Sequence, residues 1–221
     1  MSLESRKSGQ IDDPGAELLD RASGLWSRFG RIILGIVAVA AVAVGLMFFW
    51  TRSQAAKEDD AAGKLAEANL LYWQGDYARS LTIARQVSEQ FDGTPSGLDA
   101  LRIAGDDAFW SGDFKTATEE YRRYLEKDKN GPLSDAVRRS YAYALESTSQ
   151  FDEASRLYDG LAGKFDRESS AEFLVASARC QMALHRPEEA IKRLQRVLDE
   201  FAETSAAASA RVRLAEIQAS R

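Results

Sequence analysis

Two hydrophobic patterns divide this chain. From Ile32 to Trp50 it reads IILGIVAVAAVAVGLMFFW, nineteen residues without a charge. Wound as a helix they would run about 28 Å, against a hydrocarbon core about 30 Å thick. A buried core helix would keep some polar face, so the block predicts insertion in a membrane. From about residue 58 onward the apolar residues are interleaved with charged ones at the spacing of amphipathic helices.

That second pattern repeats. Small residues at Ser80, Ala117, Ala154 and Ala190 are spaced by 37, 37 and 36 positions, a period typical of stacked structural units. Three positions before each stands Tyr77, Phe114, Phe151 or Pro187, and five before stands Gly75, Gly112, Ser149 or His185. These read as turns and helix starts, with Asp76, Asp113 and Asp152 placed to cap or favour the helix amino terminus. Twelve positions before each anchor a second small residue, Ala68, Gly105, Ala142 or Ala178, allows close helix packing. Four and seven positions after it come Ala84 and Val87, Tyr121 and Tyr124, Tyr158 and Leu161, Leu194 and Val197, one apolar helical face per copy. The pattern predicts helix pairs at about 56–73 and 77–90, 96–110 and 114–127, 133–147 and 151–164, 169–184 and 187–200, closed by a capping helix at about 204–219.

The succession of small residue, Gly-Asp-aromatic turn and second small residue resembles the tetratricopeptide repeat. The resemblance covers about residues 58 to 221, although the first copy has Ser80 where the family prefers Ala and the fourth reads HRPEEA at the turn. It implies an all-α chain: one transmembrane helix followed by an α-solenoid of about four hairpins and a terminal cap. It also implies a protein-binding groove lined by the first helix of every hairpin. Projected onto this sequence, the family's groove positions are Asn69, Tyr72, Arg102, Asp106, Arg139, Tyr143 and Arg179. Three arginines and two tyrosines would suit a peptide backbone, a carboxylate or an acidic helix. The lysine-and-asparagine clamp by which chaperone-binding members hold a terminal carboxylate is not reproduced.

Around the apolar block, residues 1–31 read as a largely disordered cytoplasmic leader to about Glu17 and then a short amphipathic helix, 32–50 as an uncleaved signal anchor, 51–57 as a linker and 58–221 as the repeat domain. A cleaved signal fits badly, because Arg52 stands where small neutral residues are wanted. Basic residues tie across the block: Arg21, Arg28 and Arg31 before it, Arg52, Lys57 and Lys64 after it. The leader adds Arg6 and Lys7, which favours a cytoplasmic amino terminus and an extracytoplasmic repeat domain. Trp26, Phe29, Phe48, Phe49 and Trp50 are candidate interfacial anchors, and Ala41 with Gly45 forms a small-xxx-small pair.

The formal net charge of −5 belongs wholly to the residues after the leader, where 24 basic face 29 acidic residues. An acidic domain without a basic run argues against nucleic acid as ligand. One histidine, one cysteine, no phosphate-cradling Gly-rich loop and no metal-ligand spacing give no catalytic residue, cofactor, metal or small-molecule substrate. His185 reads as a turn residue and Cys180 as a buried thiol. Phe109-Trp110 and Tyr72-Trp73 read as packing pairs with one member turned outward, and Glu119-Glu120 and Glu188-Glu189 as solvated faces.

The whole arrangement resembles the ancillary subunit of the bacterial SecYEG translocon, and its repeats resemble those of the cell-division coordinator of the Tol-Pal system. The resemblance implies an inner-membrane adaptor that contacts translocon or envelope-assembly proteins. A self-associating structural protein of the envelope is the competing expectation.

Overall fold

The computed structural model describes residues 14–219, with side chains from Phe29 onward. The expected disorder of the leader falls mostly outside the described residues, as does the side chain of Trp26. From Pro14 the chain is already helical, and α1 runs Pro14–Trp73. The chain divides into two units, up to Gln54 and from Ala55 onward. In the first, every side chain from Ile32 to Trp50 is exposed, and the stretch is long and apolar enough to cross a membrane. Residues 51–57 continue the helix without a break.

The second unit is helical hairpins. After the end of α1 come α2 (Tyr77–Gln90), α3 (Pro95–Trp110), α4 (Phe114–Lys127), α5 (Ser134–Ser147), α6 (Phe151–Leu161), α7 (Arg167–Ala183), α8 (Pro187–Glu200) and α9 (Ser205–Ala219). The described residues contain no strand. From α2 onward the expected bounds agree within a few residues, the largest departure being α6; the first expected helix, from about residue 56, is instead the end of α1, which starts at Pro14. Helix α6 stops at Leu161 because Ala162 turns extended and Gly163 takes φ +88°, a conformation open to glycine.

The four hairpin turns share one geometry. The N–H groups of Asp76, Asp113, Gln150 and Arg186 donate to the carbonyls of Leu71, Ala108, Leu145 and Gln181 at 2.9, 2.9, 2.8 and 2.9 Å. This six-to-one bond is the Schellman closure, and it requires a left-handed residue just before its donor. Those residues are Gly75, Gly112, Ser149 and His185, at φ +80°, +82°, +61° and +56°. The periodic turn position is therefore a backbone requirement, and His185 meets it as a turn residue.

Asp76 and Asp113 then cap α2 and α4 by accepting from the N–H groups of Arg79 and Thr116. Asp152 does not cap: Gln150 holds that position without a side-chain bond, and Asp152 lies inside the first turn of α6, paired with Arg156 and Arg186. Its carboxylate helps through the helix dipole.

Among the described residues the core falls in three clusters, one between the end of α1, α2 and α3, one across α3 to α7 and one across α7 to α9. Every anchor and every residue four and seven positions beyond it is buried. Gly105 permits a close approach of two helices: a Cβ there would meet the Tyr121 ring at 2.5 Å. Between hairpins, Phe91 and Phe201 plug the connectors, and Thr94 and Thr204 donate back to their carbonyls. The connector after α4 has no such plug, and its Leu133 stays exposed.

Candidate functional site

Three cavities share one face of the repeat unit. One of about 460 Å³ crosses α3, α5 and α7 between Asp106, Trp110, Arg139, Tyr143 and Glu172. A second of about 250 Å³ continues from Tyr143 across α7 to α9, and a third of about 360 Å³ lies between Arg179, Met182 and Arg213. Together they make a groove lined by the first helices of successive hairpins. The reason is register: the second helices turn their apolar stripe toward the stack, so the outer faces of α3, α5, α7 and α9 remain to form the wall.

The seven expected groove residues divide into two groups. Asp106, Arg139, Tyr143 and Arg179 line these cavities. Asn69, Tyr72 and Arg102 do not. Asn69 donates to the Leu65 carbonyl of its own helix at 3.2 Å. Tyr72 packs edge-on against Trp73 and Tyr77, and burial pushes its phenol up. Arg102 is held by Asp99 at 2.6 Å and by Asp106 at 2.8 Å.

The arginines differ in what they can still bind. Arg102 is satisfied by its two carboxylates. Asp106 also accepts the Tyr121 hydroxyl at 2.6 Å, yet burial outweighs these partners and holds its carboxyl above the usual range. Arg179 forks onto Glu146, which accepts the Tyr158 hydroxyl at 2.9 Å as well. Arg139 is different: it lies over the Phe165 ring, 5.6 Å from its centroid, and no carboxylate among the described residues pairs with it. Beside it, Tyr143 is 37% exposed and stacks edge-on against Tyr158 at 5.6 Å.

The aromatic pairs behave as their alternation suggests, with Phe109 half-buried and Trp110 61% exposed on the cavity rim. Trp73, in the corresponding place, is 81% exposed. The groove reading missed Phe173, Ser140, Ser169 and Glu172, which also line the cavity of about 460 Å³. Their signal was present in principle, since Glu172 lies on the same face of α7 as Arg179 but two turns earlier.

One expected solvated face is corrected. Glu119 is exposed, but Glu120 is only 2% exposed and accepts from Arg85 of α2 at 2.7 Å and from Arg123 at 2.8 Å. It sits one position before the buried Tyr121, on the flank that meets the preceding hairpin. A carboxylate is tolerated there because two guanidinium groups share it. A second buried carboxylate lacks that help. Asp107 is fully buried beside Ser80, whose hydroxyl donates to the Ala68 carbonyl, and neither Asp107 oxygen has a hydrogen bond. Burial pushes its carboxyl up to about 7.

Burial pushes the Cys180 thiol up to about 12, which leaves it protonated and a poor nucleophile. Among the described residues no cluster of His, Cys, Asp and Glu could hold a metal ion.

Stacked helical hairpins with a residue-lined groove on the first helices define a helical-repeat protein, a class whose members are typically scaffolds. The family model described as "Tetratricopeptide repeat-like domain" matches residues 24–164, and the chain belongs to that family. Two similar solved structures are crystal structures of nearly identical TPR-like repeats from Podosopora anserina, in a protein assigned as a kinesin light chain, the first of them a point variant. One is 18% identical with a TM-score of 0.57, covering 72% of this chain and 85% of its own. The other is 18% identical at 0.56, covering 72% and 86%. At that identity the likeness concerns the fold. A search of curated proteins returns no match.

Proposed function

We propose that the chain is a membrane-anchored adaptor of the bacterial envelope: Ile32–Trp50 crosses the inner membrane, the amino terminus is cytoplasmic, and the extracytoplasmic repeats hold other proteins in the groove of α3, α5 and α7. The observation that carries this reading is the cavity of about 460 Å³ rimmed by Trp110, Tyr143 and Arg139. Exposed aromatic rings beside an uncommitted guanidinium are the residue types that dominate protein interfaces. The anchor reading rests on nineteen uncharged residues in one exposed helix. On this reading the partners are translocon components or clients leaving the translocon.

A photoreactive amino acid at Tyr143 in living cells tests the adaptor. Crosslinks to translocon subunits or secreted proteins are the expected result; crosslinks to other copies of the chain alone would overturn it in favour of self-association. A reporter active only outside the cytoplasm, fused at Arg221, should be active, and silence would reverse the orientation.

A further inference from the structure

The groove repeats one pair of positions from hairpin to hairpin, fifteen and eleven residues before the anchor, and the pair changes character along the stack. It is Arg102 and Asp106 on α3, Arg139 and Tyr143 on α5, Val175 and Arg179 on α7. On α3 the arginine meets its acid four residues on, at 2.8 Å. On α7 the arginine reaches Glu146 of the neighbouring α5. On α5 tyrosine replaces the acid, so the arginine is left with the Phe165 ring and no carboxylate. Glu172 lines the same cavity from α7, with no cation among the described residues at ion-pair distance.

From this we infer that the groove takes a polypeptide segment presenting an aromatic or long aliphatic side chain next to a single acidic residue, the apolar group entering between Trp110, Phe109 and Tyr143 and the acid pairing with Arg139. The inference rests on the groove being a protein-binding surface and adds the chemistry of what it binds. The two requirements have separate physical sources. Trp110 and Phe109 give the cavity an apolar wall, which favours burial of a ring or aliphatic chain over a polar one. Arg139 offers a forked donor that a carboxylate can meet with two bonds. Glu172 limits the charge, because a run of acids would bring a second carboxylate against it. An acidic helix of several carboxylates, which three open arginines would have suited, no longer fits, since Arg102 and Arg179 are already neutralised.

The test uses the purified full-length chain in detergent and random peptides displayed on phage. Selected peptides should share an apolar residue adjoining one acid. A labelled copy of the best of them should bind Arg139→Glu at least about tenfold more weakly, and changing its acid to Lys should restore binding to that variant. Trp110→Ala should weaken the acidic and the Lys forms equally, because it removes only the apolar contact. Arg139 and Trp110 are both exposed, so thermal melts of the two variants should match wild type. A consensus with a basic residue in place of the acid, or equal affinity for wild type and Arg139→Glu, overturns the inference while leaving the adaptor reading intact. Failure to enrich any peptide would count against both.

Discussion

The second hairpin, α3 and α4, and the third, α5 and α6, follow the same plan position by position, but they handle polar groups differently. In the second, Arg102, Asp99, Asp106 and the Tyr121 hydroxyl satisfy one another within the hairpin. In the third, the Tyr158 hydroxyl goes to Glu146, which is shared with Arg179 of the next hairpin, and Arg139 is left without an acid. The turns differ as well, Gly112-Asp113 in one and Ser149-Gln150 in the other. A solenoid can therefore keep a constant backbone and core while moving polar satisfaction from inside a hairpin to between hairpins, and a binding group appears where the exchange is incomplete.

The largest effect should come from the buried tyrosines that both hairpins share. Tyr121→Ala and Tyr158→Ala each empty a site that is almost fully buried, and each should lower stability by about 3–5 kcal/mol in denaturant titrations. Tyr121→Phe separates ring from hydroxyl: Asp106 keeps Arg102 but loses one donor, for about 1 kcal/mol. The plan would be broken if Tyr143→Ala, at the half-open groove position, proved as damaging as Tyr158→Ala.

Next in size is the buried acid that the second hairpin has and the third lacks. Ten residues before the anchors stand Asp107 and Ala144, so the third hairpin places a methyl group where the second places a carboxyl. Folding raises the Asp107 pKa to about 7 from an unfolded value near 3.9. The folded state then binds more protons than the unfolded one between about pH 4 and pH 7, so stability falls as pH rises through that window. The loss at pH 8 relative to pH 4 should be about 2–4 kcal/mol from this group. Asp107→Ala copies the third hairpin and should remove most of that slope. An unchanged slope in equilibrium unfolding from pH 5 to pH 8 would assign the effect to other groups.

The reciprocal exchange in the groove is smaller in stability and larger in binding. Tyr143→Asp gives the third hairpin the pair that the second already has, an acid four residues after an arginine. Such a helix-surface pair contributes about 0.3–0.5 kcal/mol. The melt should hardly move, while an acidic peptide should lose about tenfold in affinity as Arg139 is neutralised from within.

How much of this was legible in the sequence follows from which forces act at short range. Helix bounds came through because turn position and small anchor are local signals, and the Schellman turns explain why a Gly, Ser or His recurs five residues before the anchor. The apolar stripe came through because Tyr121, Tyr158 and Leu194 obey helical periodicity. Glu120 was misread because its partner Arg85 lies 35 residues away on α2 and no periodicity announces that pairing. The groove was half legible for the same reason: the positions followed the repeat, but only the spatial neighbours reveal that Arg179 is committed and that Glu172 enters the cavity, whereas the partners of Arg102 stand three and four residues away on its own helix.

A further difference between the two hairpins lies in the turns. Ser149 at φ +61° and His185 at φ +56° carry a Cβ into the left-handed region, where Gly75 and Gly112 carry none. That conformation costs an L-residue about 1–2 kcal/mol, but glycine also loses about 0.5–1 kcal/mol more entropy on folding. Ser149→Gly and His185→Gly should therefore each stabilise the fold by a net amount of about 0.5–1 kcal/mol, and Gly112→Ala should destabilise it by a similar amount. Gln150→Asp would add the cap that Asp113 supplies to α4 and that α6 lacks, for about 0.5–2 kcal/mol. If the Schellman turn is a shared requirement, the glycine and cap gains should add, because they act on the end of α5 and the start of α6 through different atoms. A double variant Ser149→Gly with Gln150→Asp that gained less than either single change would mean that the third turn is held by something the second does not have.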